Sequence, residues 1–183
     1  MQLQYNSPVV LTYTFICTIV LLISSFMPPV MSLFTVYPTM SLTNPVDYFR
    51  LFSHAIGHGD WAHLFGNFTL ILLLGPMLEE KYGSANLLTM MFLTALITGI
   101  LNVIFFSSGL LGASGIVFMM ILLSSMTNLR QRRLPLTFLL VVILFLGKEI
   151  VNIFQNNNVS EFAHIVGGVC GAVFGFMEGG KKK

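Results

Sequence analysis

Three groups of residues have the side chains and spacing that acyl-transfer chemistry needs. The first is Gly112-Ala113-Ser114-Gly115, a serine set among small residues. A serine hydroxyl is a weak nucleophile until a general base within hydrogen-bond reach takes its proton. The second group supplies a base. His164 is followed by Gly167, Gly171 and Gly175 at i+3, i+7 and i+11, which puts all four on one face of a helix. The third is His63 and Asn67, at i and i+4 and so again on one helical face. An imidazole N–H and an amide N–H₂ there, with the backbone N–H of Ser114, form a donor set able to hold an oxyanion. His54 and His58 lie just upstream at i, i+4 spacing, which reads first as bracing of a loop.

The elements that must position these groups are set by composition. In 183 residues only 9% are charged and 55% are hydrophobic, and mean hydropathy is +0.85. Too few polar groups remain to cover a water-facing surface, which excludes a soluble globule, a disordered chain and a nucleic-acid binder acting through a broad basic face. A membrane-crossing helix needs about 20 mostly apolar residues. Six segments qualify or nearly do: Val9–Met27, Trp61–Leu78, Leu87–Phe106, Leu110–Leu129, Leu136–Phe154 and Phe162–Met177. The expectation is an all-α polytopic membrane protein, residues 1–183 forming one six-helix bundle. The connection from Pro28 to Asp60 is the longest, and loops of that length tend to be functional. Cys17 and Cys170 lie in apolar stretches and suggest no disulfide framework.

Basic residues orient the chain. Lys81, Arg130, Arg132, Arg133 and Lys181–Lys183 fall in segments that share one side of a six-span topology, against Arg50 and Lys148 on the other. The positive-inside rule makes the first side cytoplasmic and puts both termini there. Ser114, His164, His63 and Asn67 then converge on the outer half of the bundle from three separate spans. Taken singly, each motif reads as packing, because glycine, serine and asparagine are common where membrane helices meet. Convergence at one depth favours chemistry, since ionisable groups inside a membrane are costly and mark function by default. Asp60 and Glu161 sit one turn before His63 and His164, where carboxylates favour a helix N-terminus.

At these positions the chain resembles the rhomboid intramembrane serine proteases. The resemblance is carried by His58-x4-His63-x3-Asn67, Gly112-Ala113-Ser114-Gly115 and Ala163-His164-x2-Gly167-x3-Gly171, in the family's order on spans two, four and six. It implies a dyad of Ser114 and His164 without a third acid. It also implies an oxyanion hole of His63, Asn67 and the Ser114 amide, with Gly112, Gly115, Phe118, Gly167 and Gly171 in support. Two positions depart from the family's usual pattern. Phe49-Arg50 replaces Trp-Arg, and Phe118 replaces a tyrosine four residues after the nucleophile, keeping an aromatic face but losing a hydroxyl. The expected partners are transmembrane protein substrates and the lipid bilayer, with no cofactor, no metal, no nucleic acid and a monomeric state. The expected location is a plasma membrane of the bacterial inner-membrane kind, with the minimal form of the family and no seventh span. Gln155–Ser160, the most polar uncharged run, is the expected lid, with span five as the moving wall. The rival readings are a histidine metal site and a non-catalytic relative that binds membrane helices.

Overall fold

Proline and short polar caps set where the helices begin. In the computed structural model, which describes residues 3–126, 136–137, 139–144 and 158–179, six helices with described bounds follow in chain order, and residues 136–137 and 139–144 are helical as well. The six are α1 (Pro8–Phe26), α2 (Pro45–Ser53), α3 (Trp61–Tyr82), α4 (Ser84–Phe105), α5 (Ser114–Ser125) and α6 (Asn158–Gly179), with a 3-10 helix (Pro28–Phe34) between α1 and α2. Pro8 and Pro45 occupy first helical positions, where the missing N–H costs nothing. Asn44 caps α2 by accepting from the Val46 N–H, and Asp60 caps α3 by accepting from the His63 N–H at 2.7 Å.

Helices α1, α3 and α4 are each long and apolar enough to cross a membrane. Helix α5 is shorter and starts at Ser114, four residues later than the apolar run beginning at Leu110 predicts. Its start is delayed because Leu110 and Val36 exchange backbone hydrogen bonds of 2.9 and 3.0 Å, while Gly112 sits at φ +120°. Neither arrangement is compatible with a right-handed helix. Of the fifth expected span, residues 136–137 and 139–144 are helical, and the rest lies outside the described residues. So do Arg130, Arg132, Arg133, Lys148 and Lys181–Lys183, on which most of the orientation argument rests, and residues 155–157 of the expected lid. Residues 158–160 belong to the first turn of α6 rather than to a loop. The described chain is therefore an all-helical membrane bundle in which the count of six spans remains an expectation.

The long connection after α1 is structured. Arg50 donates from Nε to the Ser32 carbonyl at 2.8 Å, bonds Asp47 at 2.7 Å and lies over the Tyr37 ring. The Asp47 carboxyl is held below its ordinary pKa by the Ser41 backbone N–H and by Arg50. Below this, one apolar core joins Phe68 and Ile71 of α3, Met91 of α4, Met119 and Leu123 of α5, and Val166 of α6. Helix α6 lies so close to α5 that a Cβ on Gly167 would stand 2.0 Å from the Gly115 carbonyl oxygen, and one on Gly171 2.2 Å from that of Met119.

At the other end of α3 the buried Glu79 ties three helices together. Its carboxylate accepts from the Val9 and Val10 N–H groups at 3.0 and 3.1 Å and from the Ser84 hydroxyl at 2.7 Å. Two N–H groups that α1 cannot satisfy internally are thereby paired in the bundle. Glu79→Ala leaves all three donors without this acceptor, at about 1.5–3 kcal/mol for a hydrogen bond to a charged group. Thermal melts in detergent are expected to show a clear loss of Tm for Glu79→Ala and a smaller one for Glu79→Gln.

Candidate active site

Ser114 is the first residue of α5, so its N–H and those that follow it in the first turn have no acceptor within the helix. These donors point out of a helix N-terminus, where the dipole favours negative charge. The loop that delivers Ser114 is held from three sides. Leu110 pairs with Val36, the Gly112 N–H donates to the His54 carbonyl at 2.9 Å, and the Asn102 amide donates to the Ser108 carbonyl at 3.1 Å.

His164 meets this helix start through aromatic contact. Its ring centroid lies 4.2 Å from that of Phe118, with the planes tilted by 39°. Phe118 follows Ser114 by four residues, hence occupies the same face of α5. The backbone contact of Gly167 with Gly115, and the 3.3 Å between a built Gly115 Cβ and the Ala163 carbonyl oxygen, bring this part of α6 against that face.

His63, in the first turn of α3, stands over Gly112. A Cβ there would lie 2.6 and 2.7 Å from its Cε1 and Nε2, so a side chain at Gly112 would displace the imidazole. Asn67, one turn further on, is buried, and its Nδ2 is 3.1 Å from His58 Nε2. His58 Nδ1 lies 3.1 Å from the Ile56 carbonyl, which can only accept. The proton is therefore assigned to Nδ1, and Nε2 accepts from Asn67. His58 thus fixes the direction of the Asn67 amide, and its ring is edge-on to that of His63 at 5.0 Å.

His54 lies 3.0 Å through Nε2 from the Ala95 carbonyl, and its buried Nδ1 has no partner among the described residues. Both histidines brace the loop, as their spacing suggests. The link from His58 to Asn67 is not readable from periodicity, because the start of α3 at Asp60 intervenes. Among the described residues no three His, Cys, Asp or Glu side chains gather as a metal site would require.

A helical membrane bundle with a serine at one helix start, a stacked histidine on a neighbouring helix and a His–Asn pair across from them defines a class. Residues 45–181 match the model of the Rhomboid domain, and the chain belongs to the rhomboid family. It is 23% identical over 140 residues to the rhomboid protease GlpG of Haemophilus influenzae, an alignment covering 75% of this chain and 73% of that protein.

Two outcomes follow from this geometry. Gly167→Ala places a methyl group on the Gly115 backbone and forces α5 and α6 apart, at an overpacking cost of about 1–3 kcal/mol. Its Tm should fall, whereas Gly66→Ala, where a Cβ meets nothing within 4 Å, should melt like the parent.

The second outcome concerns pH. Burial pushes His54 and His58 each down from 6.5 to about 4, while backbone hydrogen bonds oppose this. Between these values the unfolded chain binds more protons than the folded one. Stability is therefore full above about pH 6.5 and is lost as pH falls toward 4. A melting series across that window should show Tm dropping with acidity, with a shallower slope in His54→Gln.

Proposed function

We propose that this chain is a serine endopeptidase that cuts transmembrane segments of other membrane proteins, with Ser114 as nucleophile and His164 as general base. The observation that carries the reading is the stacking of His164 on Phe118, one helical turn from Ser114, over an α5–α6 contact that glycine alone permits. Membership of the rhomboid family and similarity to a protein named as a rhomboid protease support the reaction class.

In this mechanism Ser114 Oγ attacks the substrate carbonyl carbon as His164 takes its proton. The tetrahedral oxyanion is held by the Ser114 N–H, His63 and Asn67, the last oriented by His58. His164 returns its proton to the leaving amine. It then takes one from the water that attacks the acyl-enzyme and passes it to Ser114 Oγ as the Oγ–acyl bond breaks, restoring the serine. Phe118, stacked on His164, restricts the imidazole plane. A substrate helix protects its peptide bonds through its own i→i−4 hydrogen bonds, so it must unwind locally before it is cut. The excess of Lys and Arg in the segments assigned to one side argues for cytoplasmic termini and an outward-facing site, and similarity to a protein of Haemophilus influenzae supports a bacterial inner membrane.

Cleavage of a single-span substrate by purified protein in detergent tests this. Ser114→Ala and His164→Ala should abolish turnover, while His63→Ala and Asn67→Ala should each lower it about 10²–10³-fold. A fluorophosphonate probe should label the parent at Ser114 and fail on His164→Ala. Parental turnover in Ser114→Ala would reject the proteolytic reading.

A further inference from the structure

Away from the proposed dyad, α1 and α4 enclose an apolar groove. Its volume is about 450 Å³. Its foot lies at Pro8 and Ser84, where Glu79 ties the two helix starts together. Its head is closed by Phe52, Ala55 and Ile56 of the connection before α3, and Ile116 of α5 forms part of its wall. Its mouth is open, for Ile16, Leu88 and Phe92 remain 42%, 55% and 44% exposed. They continue directly into the lipid-facing surface that α1 presents through Phe15, Ile19 and Leu22.

We infer that this groove binds one acyl chain of a phospholipid from the leaflet that surrounds the N-terminal ends of α1 and α4.

Dimensions and setting carry the assignment. From Pro8 to Ile16 and from Ser84 to Ala95 the walls rise roughly 12 and 17 Å at 1.5 Å per residue. Half of a hydrocarbon core of about 30 Å is about 15 Å, so the groove is one leaflet deep. A peptide helix is about 10–12 Å across with its side chains, and a single hydrocarbon chain, much narrower, is the better match to a slot between two helices. At that depth there is no water to fill an apolar groove, and an empty one forfeits the dispersion contacts of its lining. The bilayer supplies an acyl chain beside the mouth, and Ser84 gives the foot a polar edge.

The site adjoins the candidate active site from behind. The Tyr13 hydroxyl, on the groove wall, donates to the Ala55 carbonyl at 2.5 Å, and the Ile56 carbonyl accepts from His58. A chain in the groove therefore packs against the segment that orients His58 and Asn67, and against the first turn of α5.

The test is photolabelling of the full-length protein in vesicles of phosphatidylcholine that carries a diazirine midway along one acyl chain. Label is expected to concentrate on Tyr13, Ile16, Met91 and Phe92, several-fold above Phe15 and Leu93, which lie outside the groove at nearly the same depths. Leu88→Trp, which fills the mouth, should cut that labelling several-fold, and Leu93→Trp should not. If Leu88→Trp melts below the parent, Ile16→Trp fills the mouth from the opposite wall and is read in the same way. Label spread evenly over exposed positions, or unchanged in the filled variants, would overturn the site. The readout involves no proteolysis, so it stands or falls separately from the proposed enzyme reaction.

Discussion

The backbones of Gly115 and Gly167 touch, and the site depends on that contact. With hydrocarbon on the outside, no hydrophobic force presses membrane helices together; van der Waals contact and hydrogen bonds must do so, and both reward close approach. Glycines along one face of α6 let it settle on the carbonyls of Gly115 and Met119. His164 leads this face, so the packing that stabilises the helix pair also sets how far its imidazole stands from the start of α5. Phe118 then restricts the remaining freedom of the ring. Stability and the geometry of the candidate site are here two readings of one interface.

A second constraint is that non-helical backbone within a membrane protein must find partners in the protein itself. The segment between α4 and α5 is of this kind, and it positions Ser114. Val36, His54 and Asn102 supply its partners from three different elements. The connection between α1 and α3 therefore acts as a scaffold: it contributes an extended residue, a carbonyl acceptor and two buried imidazoles. That role accounts for its length.

Much of this was legible in the sequence because apolar run length and i, i+3, i+4 spacing are direct consequences of helix geometry. Runs near Val9, Trp61 and Leu87 became α1, α3 and α4, and the glycines at 167 and 171 fell on the face that meets α5. Periodicity is blind to backbone that is apolar yet not helical. Leu110 and Leu111 extend the run hydrophobically, but Gly112 at positive φ and the bridge to Val36 hold them outside α5. It is equally blind to contacts that cross a helix start, which is why the partnership of His58 with Asn67 emerges only in three dimensions. Glu79 illustrates a third limit. A carboxylate at the end of a span looks like a headgroup residue, and only the fold brings the first turn of α1 to it.

The polar ties of α1 are gathered near its base, at Val9, Val10 and Tyr13. Mechanically this makes the helix a cantilever: clamped at its foot, held beyond it by side-chain packing. Its length is about 28 Å, so a tilt of about 5° about the clamp moves the far end by about 2.5 Å while leaving the foot in place. A bend of α1 about this clamp would therefore be felt most at the end that leads into the scaffold loop and least at the Glu79 joint.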